Sequence, residues 1–295
     1  MRYALCFFGL IRSFERTFEK ILETFPINNT DILDIFITTS NYNNFKYRFK
    51  LVSDEILDLD KLKEKITNIV GDKLKGLNFL GKETKRNEKI INLLTNVENF
   101  QKENNFRYDK IILTRMDLIF VNWEIANEYY KDREEHEKGL LYLDNFNFPI
   151  GLKTHGCSCI PELPDKVTTI DLSIELKDNE MICYEDYWIG TVGIDFLIFN
   201  SNSLHYIVDF YKNLSNINPP KTKLDILLSQ KKKKEIKLLK NISLQSYSYL
   251  NQKWWELENM CTSKIEVKMK FFFEENNIIL KQLRFMQDIA VLIIR

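Results

Sequence analysis

YALCFFGLIRSFERTFEKILETFP, residues 3–26, changes its hydrophobic period part-way along. From Tyr3 to Leu10 the apolar side chains are nearly continuous, as in a strand covered on both faces. From Phe14 onward, Phe14, Phe18, Ile21, Leu22 and Phe25 fall at helical spacing, and Pro26 stops the helix. Gly9 permits a tight backbone between the two elements, and Ser13 is placed to cap the helix. This is a βα unit. ILDIFITTS, residues 32–40, reads as a second strand that ends in hydroxyls. A helical stripe of Leu62, Ile66 and Ile69 then stops at Gly71. Another, near residues 83–103, carries Ile90, Ile91, Leu94 and Val97 and feeds YDKIILTRMDLIF, residues 108–120. Strand and helix alternate, which is the pattern of an α/β domain with parallel strands.

Beyond residue 120 the pattern predicts a short helix around Glu124 to Lys131, a strand at GLLYLD (139–144) and a loop-rich stretch from Asn145 to Met181. An acidic loop containing Glu185 and Asp186 should precede a strand over Ile194 to Phe199. A helix capped at Ser201 follows, with Leu204, Ile207, Val208 and Tyr211 on its buried face. Asn218-Pro219-Pro220 marks a boundary. The expected division is a nucleotide-binding domain over 1–217 and an extension over 218–295 packed on it, largely helical but closing on the strand-like IAVLIIR.

The bulk composition narrows the function. Lys+Arg and Asp+Glu are 42 each among 295 residues, which argues against a dedicated nucleic-acid binder. Five cysteines do not make a secreted disulfide scaffold, so a reducing, cytoplasmic setting is expected. No apolar run reaches the ~20 residues of a membrane helix. The opening apolar run lacks the cleavage site of a signal peptide. The lysine run 231–234 reads as a solvated helix face or a peripheral contact with an anionic membrane. His155, Cys157, Cys159 and Cys183 are spaced more tightly than structural zinc ligands. Trp254 and Trp255 suit core packing or stacking on a sugar.

Open α/β sheets bind ligands outside the carboxyl ends of their strands. Three predicted strands end in polar groups there: Gly9 to Ser13, Thr38-Thr39-Ser40, and Arg115 to Asp117. A helix starting at Ser13 offers free N–H groups to a phosphate, and Arg12 adds a forked donor. Arg115 and Asp117, two apart on a strand, share a face and can instead satisfy each other. Asp195 lies inside an apolar strand, where a charge must be paired or exposed.

FFGLIRSFERTFEKI, DILDIFITTS, YDKIILTRMDLIF and YWIGTVGIDFLIFNS resemble, in that order, the nucleotide-sugar-dependent glycosyltransferases of the GT-A fold. The likeness is to small soluble enzymes of large DNA viruses and bacterial surface-polysaccharide clusters, and it spans residues 1 to about 215. It implies an α/β, Rossmann-type sandwich with a mostly parallel central sheet. It also implies a nucleotide-sugar donor held at Gly9, Arg12, Ser13, Thr38, Thr39, Ser40 and Arg115, and a glycan or glycoconjugate acceptor. Such enzymes hold Mn²⁺ or Mg²⁺ on a D-x-D or single-aspartate motif after a central strand. Here Arg115 replaces the first aspartate, so only Asp117 corresponds to a metal ligand. A base for the acceptor hydroxyl would come from Glu185, Asp186 or Asp195, with Asp195 on the acceptor side. The replaced aspartate leaves a second reading open, a catalytically silent nucleotide- or glycan-binding module of the same fold. Another α/β nucleotide enzyme, such as a methyltransferase, would be expected to show a G-x-G loop after the first strand.

Overall fold

Phe14, Phe18 and Ile21 turn one stripe of the first helix inward, and the chain leaves the helix at Phe25, just before Pro26. The computed structural model describes residues 1–11, 13–47, 50–82, 84–122, 125, 159–160, 163–186, 191–221, 230, 265–282 and 289–294. In chain order these form β1 (Arg2–Phe8), α1 (Phe14–Thr24), β2 (Ile32–Ser40), β3 (Tyr42–Tyr47), β4 (Lys50–Ile56), α2 (Leu59–Val70), β5 (Leu74–Leu80), α3 (Arg86–Glu103), β6 (Lys110–Arg115) and β7 (Leu118–Asn122). They continue with β8 (Cys159–Ile160), β9 (Glu180–Asp186), β10 (Thr191–Phe199), α4 (Leu204–Lys212), α5 (Ile265–Glu275), β11 (Ile279–Gln282) and β12 (Ile289–Ile294).

The main sheet has the order β11-β9-β10-β6-β1-β2-β5. Its neighbours are parallel except where β10 runs against β6 and β9, so the sheet is mixed but mostly parallel. Period-two alternation builds a core on each face. Tyr3, Leu5 and Phe7 of β1 meet α1 and α2 on one face. Ala4, Cys6 and Phe8 meet α3, α4 and α5 on the other. The α/β class expected from the sequence is therefore present, with helices on both sides of a Rossmann-like sheet.

Local chemistry sets the helix ends. The Asp58 carboxylate accepts from the N–H groups of Asp60 and Lys61 and caps α2. Gly71, at φ 63, ends it in a conformation that suits glycine. In α3, Glu88 reaches back to the N–H of Lys85 at 3.0 Å.

Several elements depart from expectation. The run 108–120 is two strands: β6 lies in the main sheet, and β7 turns away after Met116-Asp117 to join a smaller sheet of order β7-β12-β8. Glu185 and Asp186 end strand β9, opposite Val192 and Thr191, rather than lying in a loop. Residues 42–56 form a hairpin of β3 and β4 that the sequence did not announce. The described part of 218–295 is one helix and two strands. β11 extends the main sheet beside β9 and β12 pairs with β7. The expected helix over 124–131, the strand at 139–144, the lysine run and both tryptophans 254 and 255 lie outside the described residues, apart from Ile125. No helix among the described residues is long and apolar enough to cross a membrane.

Candidate functional site

Connections decide where the sheet offers a crevice. α1 and α2 cover one face while the chain steps from β1 outward to β2 and β5. α3 then crosses the opposite face and returns the chain to β6 on the other side of β1. The strand order reverses between β1 and β6, and outside the carboxyl ends of such a pair ligands bind. Phe8 is level with Thr38 on one side and Arg115 on the other. Gly9, Thr39 and Met116 follow at that rim.

Gly9 adopts φ 118, in the region that side chains disfavour, so the loop leaving β1 requires glycine. The Thr39 hydroxyl donates to the Gly9 carbonyl at 3.0 Å. Thr38 donates to the side-chain oxygen of Asn92 at 3.2 Å, which also accepts from Asn78 at 2.7 Å. These two threonines, expected on the nucleotide, also fasten strand ends to their neighbours. The Ser40 hydroxyl is buried and has no partner among the described residues. Ser13 occupies the N-cap position of α1, but its side chain makes no capping hydrogen bond there. Arg12 lies outside the described residues, as do the side chains of Glu185 and Asp186.

Arg115 is the centre of the rim. Its Nε and Nη2 donate to the two oxygens of Asp117 at 2.8 and 2.7 Å. Its Nη1 donates to one oxygen of Asp195 at 3.1 Å. The other Asp195 oxygen accepts from Arg86 at 2.9 Å. Asp195 lies in β10 where the register against β9 shifts between Gly193 and Leu197. Burial alone would lower the Arg115 pKa, but the charges of Asp195 and Asp117 outweigh it and the net shift is upward. The guanidinium therefore stays charged.

Sequence reading brought Arg115, Asp117 and Asp195 forward, and the structure joins all three. It missed the helix above them. Arg86, Lys89 and Asn92 fall three apart on α3, hence on one side of it. Arg86 reaches Asp195 and Asn92 reaches Thr38, and Lys89 lies between them on that side of the helix. Lys89 is 7% exposed, and its pKa is lowered by burial. Its ammonium has no ion-pair or hydrogen-bond partner among the described residues. A lysine beside Ile90 in a buried stripe was the readable signal.

Two cavities flank the sheet. One of about 520 Å³ lies beside the rim, between the amino ends of α1 and α2, lined by Ile11, Phe14, Leu57 and Lys61 among others. The other, of about 490 Å³, lies at the opposite edge against Gln101, Arg107 and His205. Both suit a small ligand in size, but only the first adjoins the switch point, and position decides between them.

Asp117 fits poorly as the ligand of a divalent ion. Both its oxygens are held by Arg115, and its side chain is 5% exposed. Among the described residues no three His, Cys, Asp or Glu side chains come together as metal ligands. No protein-family model matches the chain, and no curated protein matches it.

Proposed function

We propose that the protein is a nucleotide-sugar-dependent glycosyltransferase of GT-A type. It would move a sugar from a nucleoside-diphosphate donor to a glycan or glycoconjugate acceptor. The observation that carries the reading is the convergence of Arg115 and Arg86 on Asp195, at the carboxyl rim where the strand order reverses. Cations and helix amino ends at such a rim favour a diphosphate. The cavity beside Ile11 and Phe14 offers apolar space for the nucleoside next to it.

In the reaction the acceptor oxygen attacks the anomeric carbon, and the bond from that carbon to the diphosphate breaks. The electron pair leaves on the phosphate oxygen, where fixed positive charge stabilises it. A carboxylate takes the acceptor proton if the reaction inverts. Asp195 has both oxygens engaged by guanidiniums, so it positions cations. Glu185 and Asp186, at the end of β9, remain the candidate catalytic bases. The setting proposed is cytoplasmic, with which the buried, unbridged thiol of Cys6 agrees.

The neutralisation of both rim carboxylates favours one other reading, a silent module that binds nucleotide or glycan. Incubation with a panel of nucleotide sugars separates the two. Hydrolysis of one donor is the expected result. Binding without turnover supports the silent module, and absence of binding to every donor contradicts both.

A further inference from the structure

Asp117 corresponds to the position where the resemblance implies a divalent ion, yet its surroundings are built around another cation. The Arg115 guanidinium lies between Asp117 and Asp195 and spends three of its five N–H donors on them. A fork on one carboxylate and a single bond to the next is the contact set of a cation that bridges two acidic groups. The two carboxylates are matched by two guanidiniums, Arg115 and Arg86.

A divalent ion on Asp117 would have to displace the Arg115 fork from a side chain that is almost fully enclosed. It would then stand against Arg115 and Arg86 without the carboxylates to separate them, and like charges at that range repel. Arg115 suffers neither difficulty. It is covalently part of the strand end, keeps its charge, and has two N–H donors left for phosphate oxygens.

We propose that Arg115 is the resident cation of this site, taking the place of a divalent ion, so that a nucleoside diphosphate binds without metal. The proposal rests on the nucleotide-sugar reading for its ligand, but its claim about Arg115 concerns this chain's own carboxylates and is tested separately. Asp117 and Asp195 then act as positioning residues that hold the guanidinium toward the anion. Arg86 braces Asp195 from the helix above.

The experiment has two readouts. In the first, UDP, GDP, ADP, CDP and dTDP are titrated into the wild-type protein in EDTA and again in Mn²⁺. The nucleotide that binds should do so equally well in both, and Arg115→Met should weaken it roughly 10- to 100-fold in EDTA, the loss of a charge-assisted fork. Wild-type binding that vanishes in EDTA overturns the proposal. In the second, Mn²⁺ binding is followed by electron paramagnetic resonance without nucleotide. Arg115→Met, which leaves Asp117 without its cation and Asp195 with Arg86 alone, should gain a Mn²⁺ site that the wild type lacks. Arg115→Met combined with Asp117→Asn should lose it again. No gain in Arg115→Met, or a wild-type site removed by Asp117→Asn, overturns the proposal. If Arg115→Met does not fold, the wild-type comparison in EDTA and Mn²⁺ decides, with Arg115→Lys expected to retain metal-independent binding. If no nucleotide binds the wild type, the nucleotide reading fails while the gain of a Mn²⁺ site still decides for or against the resident cation.

Discussion

Asp195 holds two guanidiniums at once, Arg115 from the neighbouring strand and Arg86 from the helix above. From the sequence it was an acid trapped in an apolar strand, which called for a partner without naming one. Its partners lie 80 and 109 residues away, a distance that no local pattern spans. Arg115 and Asp117 were legible as a pair because they are two apart, and the pair is present. Their meaning was not legible, because it depends on Asp195 closing the far side. The account predicts different behaviour for the two acidic sites. Asp195→Asn should change nucleoside-diphosphate affinity, since it releases two cations. Glu185→Gln or Asp186→Asn should lower turnover ~10²–10⁴-fold with donor affinity intact. Steady-state kinetics paired with binding isotherms reads the split. An Asp195→Asn enzyme that loses turnover alone would make Asp195 the base and remove its positioning role.

Among the elements, the legible ones carry their own periodicity. β1, β2 and α1 were bounded nearly as the structure has them, and α2 at its carboxyl end, because continuous apolar strands and amphipathic helices are local signals. β3 and β4 have polar and charged residues where alternation was sought. β5 contains Gly76 opposite Phe36, where an added Cβ would meet the ring at 2.8 Å, a packing constraint invisible to a period count. β9 and β11 are strands because they pair, β9 with β10 and β11 with β9. The amino ends of the parallel strands supply a structural counterpart to the rim. There Asp34 of β2, 2% exposed, accepts from Arg2 Nε and Nη2 at 3.0 and 2.8 Å and from the Tyr108 hydroxyl at 2.8 Å. Arg2 lies over the Phe106 ring, 3.4 Å from its centre. Tyr108 has its pKa raised by burial and by its bond to Asp34, so its hydroxyl stays a donor. Tyr108→Phe should cost about 1–3 kcal/mol of stability by leaving a buried carboxylate short of a donor. Nucleotide affinity should not change, because the network is at the other edge of the sheet. Chemical denaturation and a binding isotherm on the same variant check both halves. Unchanged stability would show that Arg2 alone satisfies Asp34.

At the scale of the whole molecule, the two edges of the sheet divide the labour. Buried charge at the amino edge fixes the strands, and the carboxyl rim opens outward from the enclosed Arg115–Asp117 pair to Asp195 at 30% exposed and Arg86 at 38%. The rim is also where helices present their amino ends, so the fold concentrates positive potential there without net charge on the chain. On this reading the ligand binds at the rim. Amide hydrogen exchange, measured with and without the nucleotide sugar that the protein binds best, locates the ligand directly. Slowed exchange is expected in peptides covering residues 9–15, 38–42 and 114–118, with no change over 98–107 and 201–205, which border the cavity at the opposite edge. Protection confined to 98–107 and 201–205, with the rim unaffected, would contradict it.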